Sequence, residues 1–137
     1  MAIAERLSES IRPFAALRRG DVAFAGGKGA NRGELTAAGI PVPPGFVVGA
    51  PAYAAFCDAG GLRARLDSLL ASLDTDDAVA LAAASESARG LVLAEPVPDQ
   101  LARAIRDAYA AANPGNETVA VRSSATSEDT RRPRSPE

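Results

Sequence analysis

The chain of 137 residues is about the size of one domain, and its net charge of -2 and isoelectric point near 5.2 argue against a nucleic-acid-binding protein, which would be strongly basic. It has no histidine and one cysteine, Cys57, which excludes a zinc site, a histidine-dependent catalytic triad and an internal disulfide within the chain. The single cysteine, the lack of an apolar signal-peptide core and the lack of a membrane-spanning apolar run lead us to expect a cytoplasmic protein without membrane contacts.

The first predicted elements surround a cluster of glycines. The apolar run Val22–Ala25 predicts a strand, preceded by a turn at residues 20–21. Glycines follow this run, and Ala30–Ala38 then predicts a short helix that ends at Gly39. Gly33 lies inside this helix, where glycine costs about 1 kcal/mol relative to alanine, so we expect close packing at that position.

The rest of the sequence combines helices with two further strand-like runs. Three prolines between residues 41 and 44 force an extended path, which predicts a strand at Phe46–Val48. Thr118–Val121 is rich in residues that favour strands. Apolar residues at helical spacing and turn residues predict helices over Pro51 to about Ala59, Leu62–Leu73, Asp76 to about Leu93, and Asp99–Ala112. The predicted fold class is α+β, with several helices around two or three short strands.

The glycine cluster holds Lys28, the only lysine among the 15 basic residues. Glycines before a helix start allow backbone N–H groups to approach an anion, so this stretch is a candidate phosphate site. It fits neither standard phosphate motif. The P-loop pattern would need other residues at Val22 and Gly29, and the dinucleotide pattern would need glycine at Arg32. A glycine-rich turn with one solvated lysine explains the stretch equally well.

Arg122 is a second candidate because it directly follows a predicted strand. Its guanidinium would stand at the strand end, where it is suited to bidentate contact with phosphate oxygens. Ser123 and Ser124 offer hydroxyl groups beside it. In the alternative interpretation Arg122 pairs with Glu128 or Asp129, and the serines form a turn.

Three motifs in a fixed order resemble a known family. They are GGKGANRGEL, GIPVPPGF and VAVRSSATSED, and the resemblance covers nearly all of residues 11–129. They look like the start of the PEP/pyruvate-binding, nucleotide-binding domain of phosphoenolpyruvate synthase and pyruvate phosphate dikinase. Rifampicin phosphotransferase has a similar domain. Any one of these motifs would be weak evidence, whereas three in this order and spacing are specific.

This resemblance implies the first lobe of an ATP-grasp-type domain that binds ATP with Mg²⁺. It implies that Lys28 and Arg122 contact the ATP phosphates, with a supporting loop formed by Gly26, Gly27, Gly29, Ser123 and Ser124. It implies no catalytic residue and no metal ligand in this chain, because the family's phosphate-covering loop, Mg²⁺ ligands and phosphohistidine domain follow Asp129. Pyruvate or another acceptor would be reached only through those parts.

The resemblance ends where the composition changes. Residues 131–137 hold three arginines and two prolines and no apolar residue, which predicts disorder. Their last four letters, RSPE, are what a neighbouring reading frame of the family's Ser-Phe-Ala-Gly codons would encode. We interpret residues 1–130 as a truncated N-terminal portion of the domain and 131–137 as an out-of-frame tail. We expect an inactive fragment of a dikinase-type phosphotransferase; the alternatives are a rifampicin phosphotransferase-like fragment and a non-catalytic remnant.

Overall fold

The computed structural model describes residues 9–127, and this part of the chain has an α+β fold. It contains five α-helices and one two-stranded sheet. The strands are β1 (Ile11–Pro13) and β2 (Phe46–Val48). The helices are α1 (Val22–Ala37), α2 (Ala50–Ala59), α3 (Leu62–Leu70), α4 (Ala78–Ala94) and α5 (Asp99–Ala112). The predicted tail at 131–137 lies outside the described residues.

The sheet is an antiparallel pair in which Ile11 lies opposite Val48 and Pro13 lies opposite Phe46. Two backbone hydrogen bonds extend the pairing: Phe14 N–H donates to the Gly45 carbonyl (3.0 Å), and the Gly49 N–H donates to the Ser10 carbonyl (2.8 Å). The predicted strand at Phe46–Val48 is therefore confirmed. Strand β1 was not predicted, because three residues that include a proline carry no readable alternation.

The predicted strand at Val22–Ala25 is wrong, because these residues form the first turn of α1. Hydrogen bonds before the helix fix its start. The Asp21 carboxylate accepts from the Arg18 N–H (2.7 Å), and the Glu34 carboxylate within α1 accepts from the Arg19 N–H (2.7 Å). An apolar run of four residues is compatible with a helix and with a strand, so its conformation depends on the polar contacts around it.

Small residues allow α1 to pack closely against its neighbours. A β-carbon added at Gly33 would lie 2.6 Å from Leu17 Cβ, and Leu17 is fully buried. A β-carbon added at Gly29 would lie 3.1 Å from a methyl carbon of Val47 on β2. The expected close packing at Gly33 is confirmed, and it explains why a helix interior tolerates glycine there.

The chain divides into two compact units, the first formed by residues up to Ala52 together with those from Gln100 onward. The second unit, Tyr53–Asp99, holds α3 and α4. Within it, α4 begins at a cap in which the Asp77 carboxylate accepts hydrogen bonds from Val79 N–H (2.9 Å) and Ala80 N–H (3.0 Å). The predicted helices of this unit are confirmed, with α3 ending three residues earlier than predicted and α4 starting two residues later.

The segment 118–121 forms no strand, so that prediction is also wrong. Val121 is 94% exposed, and no strand among the described residues lies beside this segment to accept its backbone hydrogen bonds. A strand needs a partner as well as a favourable composition. Within residues 9–127 no helix is both long enough and apolar enough to cross a membrane.

Candidate functional site

The glycine cluster forms a break inside α1. Gly26 has φ 69° and ψ 171°, which is not a helical conformation, so that two helical pieces meet at this residue. This backbone region is almost exclusive to glycine. The predicted order of strand, glycines and helix start is therefore corrected to helix, break and helix start. The second piece begins at Gly27, immediately before Lys28.

A distant segment packs against this break. The Gly27 N–H donates a hydrogen bond to the carbonyl oxygen of Ala125 (3.4 Å). A β-carbon added at Gly26 would overlap Ser124 Oγ and would lie 3.0 Å from both Ser124 Cβ and the Ala125 oxygen. The absence of a side chain at Gly26 is thus what allows the two segments to approach so closely. The glycine motif and the VRSSA motif, at opposite ends of the described chain, meet here.

The charged and hydroxyl side chains of the two motifs lie at the surface. Lys28 and Arg122 are exposed, and so are Ser123 and Ser124. By contrast, Gly26, Gly27 and Gly29 are buried. The glycines therefore pack against protein, and the two cations are accessible to a ligand in solution. The alternative pairing of Arg122 with Glu128 or Asp129 involves residues outside the described part of the chain.

Arg12 holds the first piece of α1 in place. Its guanidinium lies 4.0 Å from the centre of the Phe24 ring and 3.3 Å from Asp21 Oδ1. A cation over an aromatic face is attracted by the negative charge of that face. This role could not be predicted from the sequence, because Arg12 and Phe24 belong to different elements. The hydrogen bond that the Ala125 carbonyl accepts from Gly27 could not be predicted either, because every residue type has a backbone carbonyl.

An apolar groove of about 360 Å³ lies elsewhere in the first unit. Its walls come from β1, β2, the proline segment before β2 and the end of α5. Its one polar lining side chain is Thr36, whose hydroxyl donates to the Arg32 carbonyl (2.8 Å). It contains none of the predicted site residues. Without a cation or an N–H donor set, this groove does not have the chemistry of a phosphate site.

Among residues 9–127, no group of three or more Asp, Glu, His or Cys side chains could hold a metal ion. The candidate site thus consists of two cations, a helix start and nearby hydroxyl groups. This donor set fits an anion and does not fit a resident metal.

Comparison with known proteins decides the family. The family model described as "Pyruvate phosphate dikinase, AMP/ATP-binding domain" matches residues 22–134, which include both motifs of the candidate site. The chain belongs to this family. Its match to the AMP/ATP-binding domain begins at Val22, the first residue of α1.

Curated relatives of this AMP/ATP-binding domain include a probable phosphoenolpyruvate synthase of Methanothermobacter thermautotrophicus, 40% identical over 91% of this chain and 19% of the relative. A protein of the same name in Methanocaldococcus jannaschii is 46% identical over 80% of this chain and 10% of its own length. The phosphoenolpyruvate synthase of Escherichia coli is 42% identical over 80% and 14%. The chain therefore spans between a tenth and a fifth of the length of these relatives.

Proposed function

We propose that this chain forms the phosphate-binding part of the nucleotide site of a dikinase-type phosphotransferase, within the first lobe of an ATP-grasp-type domain. In this proposal Lys28 and Arg122 contact the phosphates of ATP. The observation that supports it most is the hydrogen bond from Gly27 to Ala125, because it joins the two motifs that carry these cations. Membership of an AMP/ATP-binding domain family supports a nucleotide as the ligand.

The backbone contact limits how far apart the two cations can be. Lys28 follows Gly27 directly, and Arg122 precedes Ala125 by three residues. Since an extended residue spans at most about 3.6 Å, the Arg122 Cα lies within roughly 11 Å of the Ala125 Cα. Both side chains are exposed and long, so one extended anion such as a triphosphate can contact both of them.

The two cations suit different tasks. The Lys28 ammonium is a compact charge that fits beside buried glycines, and its three donors can follow phosphate oxygens as they move. The planar Arg122 guanidinium suits bidentate contact with two oxygens. Phosphoryl transfer depends mainly on positioning and on neutralising charge, which these groups can supply. Mg²⁺ enters the proposal only as the ion that accompanies ATP.

For the phosphoryl acceptor, we propose only its chemical class. The relatives described above are named phosphoenolpyruvate synthases, which favours pyruvate over a rifamycin as the phosphoryl acceptor of the complete enzyme. This chain has no histidine and cannot carry a phosphohistidine itself. We therefore propose that it binds nucleotide and does not turn it over alone.

Titration of the ¹⁵N-labelled chain with Mg-ATP, followed by NMR, tests this function. Exposed ion pairs contribute about 0–1 kcal/mol each, so we expect a dissociation constant of about 1 mM or weaker. The amide shifts should centre on Lys28 and on residues 122–124. Tripolyphosphate should produce the same pattern and adenosine should not.

Variants make the test specific. Lys28→Ala and Arg122→Ala should each reduce the response. Arg103→Ala, which removes an exposed arginine from α5, is the matched control for loss of positive charge. A response that is absent in the wild type, or that is equally reduced by Arg103→Ala, would contradict the proposed phosphate site.

A further inference from the structure

Gly26 stands out because two independent constraints disfavour a side chain there. Its φ of 69° with ψ 171° lies in a region nearly restricted to glycine. Independently, a β-carbon would overlap Ser124 Oγ and would crowd the Ala125 carbonyl oxygen. The helix break alone would require only the first constraint. The second constraint concerns the segment that carries Arg122.

We infer that Gly26 is a positioning residue for Arg122: its lack of a side chain lets residues 124–125 lie against the break in α1, and this contact sets the place of Arg122 relative to Lys28. The inference rests on the proposed function, in which both cations contact one phosphate chain. Gly26 itself would contribute no group to the ligand.

The surroundings of Arg122 explain why such a contact matters. Residues 118–125 have no helix or strand and are exposed. Side chains on such a segment sample many positions unless the backbone is held, and holding it in advance lowers the cost of binding. The Gly27–Ala125 hydrogen bond and the bare surface of Gly26 supply this restraint at the level of the backbone. Arg122 is three residues from it.

Four variants separate the contact from backbone strain. Gly26→Ala introduces both strain and overlap with Ser124. Gly39→Ala also places alanine at a positive φ, 75°, but with no atom within 4 Å of the new β-carbon. In the double variant Gly26→Ala/Ser124→Gly, the strain and the crowding of the Ala125 oxygen remain, while the two Ser124 atoms that the new β-carbon would meet are removed. Ser124→Val crowds the same contact from the other side, because one of its two methyl groups faces Gly26 in two of three rotamers, and it leaves Gly26 unchanged.

The first readout needs no ligand. In the wild type, NMR should give cross-peaks between the Gly26 α-protons and the Ser124 β-protons, and {¹H}–¹⁵N NOE values for residues 122–125 should indicate an ordered segment. Gly26→Ala and Ser124→Val should lose this order, whereas Gly39→Ala should keep it. Amide shifts of β1 and β2 report whether each variant is folded. If Gly26→Ala does not fold, Ser124→Val carries the test.

The second readout is affinity for tripolyphosphate. Gly26→Ala and Ser124→Val should weaken it by up to about fivefold, the equivalent of one exposed ion pair. The double variant should recover part of the affinity and part of the segment order together. The inference is overturned if residues 122–125 are equally ordered in Gly26→Ala, if Gly39→Ala has the same effect, or if Ser124→Gly restores nothing. A wild-type segment that is ordered but does not bind tripolyphosphate would instead refute the proposed function, and the two failures are thus distinct.

Discussion

The amide of Gly27 and the carbonyl of Ala125 join two motifs from opposite ends of the described chain through one 3.4 Å hydrogen bond. The bond uses only backbone atoms. It therefore fixes where the two cation-bearing segments meet without constraining their side chains, and it leaves Lys28 and Arg122 accessible.

Replacing Lys28 by arginine should not preserve the phosphate site. Both residues carry one positive charge, but the larger planar guanidinium fits less well beside the buried Gly27 and Gly29. We expect tripolyphosphate affinity between that of the wild type and that of Lys28→Ala, a loss of about two- to fivefold. NMR titration measures it, and full wild-type affinity in Lys28→Arg would show that charge alone is sufficient.

The substitution Gly33→Ala, which adds one β-carbon, should destabilise the protein. The new β-carbon would meet Leu17, whose backbone and side chain are buried against α1, and overpacking of this kind costs about 1–3 kcal/mol. Gly90→Ala is the matched control, because Gly90 lies within α4 and a β-carbon there has no neighbour within 4 Å. That variant should gain about 0.5–1 kcal/mol. Urea denaturation followed by circular dichroism measures the free energy of unfolding of both variants. A gain in stability in Gly33→Ala as well as in Gly90→Ala would argue against the close packing of Gly33.

The cap of α4 should contribute measurably to the stability of the second unit. Asp77→Ala removes the acceptor for two backbone N–H groups at the helix start, which typically costs about 1 kcal/mol. Asp76→Ala removes the neighbouring carboxylate, which accepts neither of these two bonds, and should have a smaller effect. The free energy of unfolding from urea curves at 222 nm tests the difference. Similar losses in both variants would mean that the charge matters more than the cap.

Arg12→Met should loosen the start of α1. The change removes the contact with the Phe24 ring and the ion pair with Asp21 while keeping a long side chain. We expect a loss of about 0.5–1 kcal/mol in the free energy of unfolding, because both interactions are partly exposed to solvent. Arg106→Met on α5, where the arginine is exposed, serves as the control. A loss that disappears in high salt would assign the effect to Asp21 rather than to Phe24.

The elements predicted correctly from sequence have strong local signals. Asp99–Ala112 was predicted with its observed bounds, because apolar residues recur every four positions after a favourable start. The strand predicted at Val22–Ala25 was wrong because four consecutive apolar residues fit the periodicity of a helix and that of a strand equally well. The strand predicted at Thr118–Val121 was wrong because strand formation depends on a partner strand that composition cannot reveal.

For the candidate site, the residue types in both motifs could be identified from the sequence, but the contact of Gly26 with Ser124 and Ala125 could not. It depends on the path of the backbone.

The break at Gly26 also changes the electrostatics of α1. An unbroken helix from Val22 to Ala37 would concentrate its positive partial charge, about half an elementary charge, at Val22. Restarting the helix after Gly26 places a second positive end at Gly27, directly before Lys28. The positive end of the dipole of residues 27–37 then lies next to Lys28 in the chain, where the VRSSA segment packs against the break. One glycine thus gives a single helix two electropositive ends.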